Sequence, residues 1–289
     1  MYARAGAATI AAVLGTAALV SLTADARAGE TARPTVVAHR GASACAPENT
    51  LASIDKAAEM GFTWVENDVQ RTKDGELVVI HDDSLERTTN VEDVFPGRAP
   101  WKVKDFTAAE IARLDAGSWF SPAYAGTRVP TLKQYMHRVE HNHEKLLLEI
   151  KNPQLYPGIE QQTLKLLGNE GWLDQQHLGR LIVQSFSADS VRTVHELKPA
   201  LTTGLLGTPS VSQLHEYARF TDLINPSNGS ISTSYVSSVH AVTGPHSKRL
   251  GVFAWTVDDA ATARKVAGYG VDGIITNKPD VVRAALDAD

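Results

Sequence analysis

The chain has 289 residues, 43% of them apolar and 21% charged, with a formal net charge of −5. This length fits one large α/β domain or two ordinary ones, and the average composition excludes a disordered or fibrous protein. The modest acidic balance gives no basic footprint for nucleic acid and no polybasic patch for anionic lipid.

The chain begins with Arg4, an uncharged apolar run from Ala5 to Val20, and Ala26-Arg27-Ala28. A short basic start, an apolar stretch and a small-x-small exit are the layout of a secretory signal peptide over residues 1–28, cleaved after Ala28. A membrane anchor is the alternative, but the run is shorter and less apolar than the ~20 residues a span needs. The expectation is therefore a secreted or periplasmic protein with no stable membrane insertion after cleavage. Its single cysteine, Cys45, excludes an intramolecular disulfide and lacks the neighbours of a catalytic thiol.

Short apolar runs then alternate with amphipathic stretches. The runs are Val36–His39, Thr63–Asp68, Leu77–His81, Lys145–Ile150, Leu181–Ser185, Leu201–Leu206, Asp222–Asn225, Gly251–Val257 and Asp272–Thr276. Helical spacing appears over 50–60, 108–114, 132–139, 158–170, 189–197, 211–218, 234–240 and 259–269. Asp189 and Asp258 or Asp259 read as N-caps; Gly61, Gly171 and Gly270 stand where helices end. Such alternation predicts a parallel sheet.

Nine runs exceed an eight-stranded barrel by one. No crossover helix fits between Asp68 and Leu77, and Lys73-Asp74-Gly75 signals a tight turn, so the third run should return antiparallel as a hairpin. The prediction is an α/β fold, a (β/α)₈ TIM barrel spanning residues 35–286; a doubly wound open sheet is the alternative. A polar, Pro- and Gly-punctuated insertion fills about 84–130, and a segment of this kind commonly forms a rim or lid.

The chemistry gathers at strand ends. The first run ends His39-Arg40-Gly41, and the second ends Glu66-Asn67-Asp68, with Glu66 and Asp68 on one face and Asn67 on the other. Folding the hairpin about Asp74-Gly75 pairs positions summing to about 149, which sets Asp68 opposite His81. Leu148 leads into Glu149-Ile150-Lys151, again with two ionisable residues on one face. Each of these has a bland reading as a structural histidine or an exposed ion pair. In a barrel, however, C-terminal strand ends share one rim, where catalytic groups collect. Three carboxylates without a thiol suit a hard divalent cation, Ca²⁺ or Mg²⁺. Arg40 and Lys151 suit a phosphate, and two histidines suit proton transfer on either side of phosphorus. A phosphodiester is the small-molecule substrate that needs all three.

His39-Arg40-Gly41, Pro47-Glu48-Asn49-Thr50, Glu66-x-Asp68-Val69, Thr72-Lys73-Asp74-Gly75 and His81-Asp82 together resemble the glycerophosphodiester phosphodiesterase family. Leu85 with Arg87-Thr88-Thr89, Pro130-Thr131-Leu132, Leu148-Glu149-Ile150-Lys151, Gln184-Ser185-Phe186, Ala254-Trp255-Thr256-Val257 and Asp272-Gly273-Ile274-Ile275-Thr276 follow in order. The resemblance implies a (β/α)₈ barrel, hydrolysis of glycerophosphodiesters to glycerol 3-phosphate and an alcohol, and His39 and His81 as the acid/base pair. It implies Glu66, Asp68 and Glu149 as ligands of one divalent cation, Arg40 and Lys151 as phosphate contacts, and Glu48 as support for a histidine or the metal site. Trp255 and Phe186 would wall the glycerol or the leaving alcohol, or else belong to the barrel core. Asn67 and Asn277 depart from the family pattern, the latter standing where an Asp often follows the last strand. A phospholipase of the C or D type, a hydrolase of cell-wall glycerophosphate polymers, and a catalytically dead binding protein are the competing readings. The aromatic residues Trp101, Trp119 and Phe120 of the insertion keep the first of these open.

Overall fold

The computed structural model describes residues 1–2 and 33–288. The expected signal peptide, apart from its first two residues, lies outside the described residues. Nine strands carry the fold: β1 (Thr35–Ala38), β2 (Trp64–Arg71), β3 (Leu77–Val79), β4 (Lys145–Ile150), β5 (Leu181–Ser185), β6 (Thr202–Leu206), β7 (Leu223–Asn225), β8 (Gly251–Ala254) and β9 (Gly273–Thr276). The helices are α1 (Leu51–Glu59), α2 (Val91–Val94), α3 (Ala108–Ile111), α4 (Leu132–His141), α5 (Ile159–Asn169), α6 (Ala188–Leu197), α7 (Leu214–Tyr217), α8 (Thr233–His240), α9 (Ala260–Gly268) and α10 (Pro279–Asp287).

The strands run in the order β1-β9-β8-β7-β6-β5-β4-β2, and β1 pairs with β2 to close the ring. All eight are parallel, and β3 pairs antiparallel with the far end of β2. The fold is therefore a (β/α)₈ barrel. Its interior is filled by Val37, Leu147, Ile182, Leu223, Phe253 and Ile275, one side chain from each of six strands. Residues on the opposite faces, such as Val65, Leu146 and Leu148, pack outward against the helices. Asn67 also faces this outer layer, fully buried, and both polar atoms of its side chain lack a partner.

The hairpin register differs by one from the sequence reading. Val69 pairs with Val79 and Arg71 with Leu77, so paired positions sum to 148 and Asp68 stands opposite Ile80, whose N–H it accepts at 2.9 Å. The cause is a three-residue loop with Gly75 at φ +91°, closed by the Thr72 N–H donating to Glu76 O and the Glu76 N–H donating to Thr72 Oγ1, each at 2.9 Å. His81 thus follows the hairpin rather than ending its ladder. Helix α6 is capped by Ser187, not Asp189, because the helix starts at Ala188. Asp259 caps α9 as expected, and Gly61, Gly171 and Gly270 take left-handed backbone just past helix ends. Helix α10, absent from the sequence reading, completes the eighth βα unit and buries Val282, Ala285 and Leu286.

The segment 84–130 builds its own small core. Leu85, Val91, Val103, Phe106, Ile111 and Leu114 pack with Val78 and Ile80, which fixes the segment to the hairpin. The described residues contain no helix long and apolar enough to cross a membrane.

Candidate active site

Three strand ends and the hairpin exit converge on one cleft at the C-terminal rim. His39, Arg40, Glu66, His81, Glu149, Lys151, Gln184, Phe186 and Trp255 line it. Below the rim, Gln184 of β5 and Asn225 of β7 are joined over the intervening β6 by a 2.7 Å hydrogen bond, and Gly204 of β6 makes room for it, since a Cβ there would sit 2.9 Å from the Asn225 amide.

His39 follows β1. Its Nδ1 lies 2.8 Å from Asn277 Oδ1, at the end of β9. Asn277 in turn donates from Nδ2 to Asp258 at 2.8 Å. A carboxylate can only accept, so the amide nitrogen must face Asp258 and the amide oxygen must face His39. His39 therefore carries its proton on Nδ1, and its Nε2 lone pair looks into the cleft. Burial, and then the Arg40 charge, push its pKa down to about 4.

His81 has a different backing. Its Nδ1 meets Asp82 Oδ1 at 2.6 Å, and Asp82 also accepts from Arg87 Nε at 2.6 Å. The hydrogen bond from His81, followed by that from Arg87, holds Asp82 far below the usual carboxylate range. Arg87 grips Glu48 with both terminal nitrogens, at 2.9 and 2.8 Å, and Glu48 also accepts from Arg40 at 2.9 Å. Glu48 therefore supports neither a histidine nor the carboxylates directly. It anchors two arginines, one of them from the insertion.

Glu66, Asp68 and Glu149 present oxygens within 4.8 Å of one another, all buried. Arg40 takes φ +58°, which turns its backbone N–H onto Glu66 Oε2 at 2.9 Å, while its Nε lies 3.4 Å from Asp68. Gly41 follows at φ +78°, where a Cβ would collide with Ser53 Oγ. Asn49 clamps Asp68 through its amide at 2.8 Å, and Lys151 Nζ lies 2.8 Å from Glu149, 3.2 Å from His81 Nε2 and 3.7 Å from Asp68. Glu66 Oε1 and Asp68 Oδ1 have no hydrogen-bond partner, and Glu149 Oε1 touches Lys151 without hydrogen-bond alignment. Buried carboxylate oxygens left bare and facing one another fit a hard divalent cation.

The electrostatics agree with that fit. Burial, then Asp68 and Glu149, push Glu66 well above the usual range; burial, then Asp68, lift Glu149 to about 7. Asp68, despite its burial, is held low by Arg40, His81 and Lys151. Trp255 is part-buried, donates Nε1 to Asn225 O at 2.7 Å, and meets Phe186 edge to face at 5.5 Å. Phe186 is 53% exposed and belongs to the rim rather than the core. Trp101 instead packs against the small core of the insertion, so it is no part of a solvent-facing aromatic rim.

All ten residues singled out from the sequence gather at this cleft or directly behind it. Asn49, Asp82 and Arg87 stood inside the quoted motifs without a role. Asn277 appeared there only as a departure, and Asp258 only as a possible helix cap.

The glycerophosphoryl diester phosphodiesterase family is matched over residues 39–281. A glycerophosphodiester phosphodiesterase from Caldanaerobacter subterraneus subsp. tengcongensis is 36% identical over 249 residues, 86% of this chain and 95% of that protein. One from Bacillus subtilis is 35% identical over 267 residues, covering 85% and 84%. Among solved structures, a phosphodiesterase from Oleispira antarctica in complex with the product sn-glycerol-3-phosphate superimposes with a TM-score of 0.76 at 29% identity, over 88% of this chain and 97% of that one. The chain belongs to the glycerophosphoryl diester phosphodiesterase family.

Proposed function

We propose that the chain hydrolyses glycerophosphodiesters to glycerol 3-phosphate and an alcohol, with His39 as general base and His81 as general acid. The observation that carries the reading is the unlike backing of two imidazoles on one cleft: His39 rests on a neutral amide, His81 on a carboxylate. His39, buried beside Arg40 and held down to about 4, is neutral near pH 7 and offers Nε2 to a nucleophile's hydroxyl hydrogen. Asp82 supplies a counter-charge for the proton that His81 delivers to the leaving oxygen; His81 Nε2, which accepts from Lys151 at 3.2 Å, takes up that proton once Lys151 turns to the phosphate. Arg40 and Lys151 bind the non-bridging phosphate oxygens. A divalent cation, Ca²⁺ or Mg²⁺, held by Glu66, Asp68 and Glu149 would supply charge neutralisation on phosphorus when bound. The nucleophile is water or the glycerol's neighbouring hydroxyl, the latter closing a cyclic phosphate that water then opens. Trp255 and Phe186 supply the apolar wall of the cleft. The sequence of residues 1–28 supports export of the mature enzyme.

The test uses glycerol 3-phosphate release from glycerophosphocholine, with and without chelator, and a p-nitrophenyl ester of glycerol 3-phosphate whose leaving group needs no acid. His39→Ala and His81→Ala should each lose at least ~10²-fold in kcat on glycerophosphocholine. On the nitrophenyl ester, His81→Ala should recover to within about tenfold of wild type and His39→Ala should not. Equal loss in both variants on both substrates would defeat the division of roles. Full activity in chelator would defeat the metal role.

A further inference from the structure

A phosphodiester carries two ester arms, and the rim offers two clefts. The first, described above, continues past Glu149, Lys151 and Phe186 into a second of about 280 Å³ between the loops that follow β4 and β5. His81 Nε2 lies 3.2 Å from Lys151 Nζ, so the arm that His81 protonates points toward the Lys151 end, where the second cleft opens.

The second cleft combines an apolar lining from Ile150, Pro153 and Phe186 with polar groups, and its one acidic and one basic residue face each other. Its acidic residue, Glu149, is tied to Lys151. Its aromatic residue, Phe186, has Trp255 at its edge and the Lys151 ammonium 5.5 Å from its centroid. Its other polar residues are Asn152, Gln154, Ser185 and Ser187. Ser185 is spent on Ile150 O, and Ser187 caps α6. Asn152 holds a left-handed backbone at φ +44° at the start of a 3₁₀ turn, yet its side chain makes no capping hydrogen bond. Asn ordinarily tolerates that conformation by bonding its own backbone. Here the carboxamide is left available to solvent or to a ligand, with that of Gln154 beside it.

We propose that this second cleft seats the leaving alcohol and selects a neutral polyhydroxyl group, a glycerol or cyclitol unit, over an ammonium head group. Carboxamides both donate to and accept from hydroxyls, which a polyol matches at several points. A choline or ethanolamine head would meet Lys151 with no free carboxylate and no aromatic cage to receive it. The proposal rests on the placing of His81 at the leaving-group side.

The test compares kcat/KM for glycerophosphoglycerol, glycerophosphoinositol and glycerophosphocholine, in wild type and in Asn152→Gly/Gln154→Ala. Glycine keeps the left-handed backbone while removing the amide. Because the readout is a ratio within each preparation, a partly unfolded variant cannot imitate the result. Wild type should favour the two polyol diesters by about tenfold, the worth of one or two well-made hydrogen bonds, and the double variant should bring the ratio to within about threefold of one. A wild type that turns over glycerophosphocholine as well as the polyol diesters, or a variant that loses all three substrates by one common factor, would overturn the subsite. Failure of wild type to cleave any of the three would instead overturn the phosphodiesterase reading beneath it.

Discussion

Without a cation, two of the three carboxylates, Glu66 and Glu149, oppose folding when ionised, and the size of the effect follows from Glu149. Its pKa rises from an ordinary 4.5 to about 7 in the folded chain, through burial and then Asp68. Between those values the folded state holds a proton that the unfolded chain has released, so stability falls as pH rises through this window. Above pH 7 the loss is complete, about 3 kcal/mol at 1.36 kcal/mol per pH unit. Glu66 acts in the same sense. His39 acts in the opposite one: with its pKa held down to about 4 against 6.5, it costs the fold at low pH and recovers that stability as pH rises to 6.5. The wild-type profile alone therefore mixes two slopes, and Glu149→Gln isolates one of them. In chelator the variant and wild type should converge below pH 4.5. At pH 8 the variant should be more stable by up to about 3 kcal/mol, or about 6–12 °C in Tm for a domain of this size. Saturating Ca²⁺ or Mg²⁺ should raise wild type more at pH 8 than at pH 5, and raise the variant less at both. Thermal scans in chelator whose midpoints run parallel from pH 5 to pH 8 would refute the reasoning.

Four further outcomes are expected. Asn277→Ala frees His39 to move its proton to Nε2 and turn it toward Glu66, 3.9 Å away, so kcat should fall about 10- to 100-fold, the cost of an unpaired Nδ1–H; ¹⁵N shifts of the His39 ring would report the tautomer. Asn277→Asp keeps the acceptor but adds negative charge, raising the His39 pKa and moving the acid limb of the kcat/KM profile to higher pH. Arg87→Ala should lower kcat about tenfold by loosening both Asp82 and Glu48, and Arg87→Lys should rescue little of it because a lysine cannot fork to Glu48 and reach Asp82 together. Asn67→Leu removes two unpartnered buried polar atoms while keeping the same heavy-atom branching, and should raise stability by about 1–2 kcal/mol in denaturant titration, with catalysis unaltered.

The barrel was legible because its strands are buried on both faces and read as near-continuous apolar runs, so polar residues at their ends stood out. His39, Glu66, Asp68, Glu149 and Lys151 were visible for that reason alone. The hairpin register was not: Lys73-Asp74-Gly75 signals a turn, but whether it holds two or three residues depends on Gly75 taking φ +91° and on the Thr72–Glu76 bonds that close the loop. Helix α10 escaped notice, although Pro279 at its first turn is a start signal that could have found it. The partners of the histidines were the least legible. Asn277 is 238 residues from His39 in sequence, and Asp258 reaches it from a different loop. Nothing in local pattern pairs such residues; only closure of β9 onto β1 does so.

Those partners also explain why the insertion belongs to the site rather than merely beside it. Arg40 touches the carboxylate cluster and Glu48; Glu48 holds Arg87; Arg87 holds Asp82; Asp82 orients His81. One chain of charged hydrogen bonds thus runs from Arg40 to the second histidine, and its middle member, Arg87, comes from the segment after the hairpin. Arg87 can stand there only because Leu85 and Val91, on either side of it, are locked into the small core with Val78 and Ile80. That core is the same packing that fixes where the chain leaves β3 and hence where His81 lies. The insertion therefore sets the position of His81 twice, once through backbone packing and once through Arg87, whereas His39 depends on the barrel seam alone.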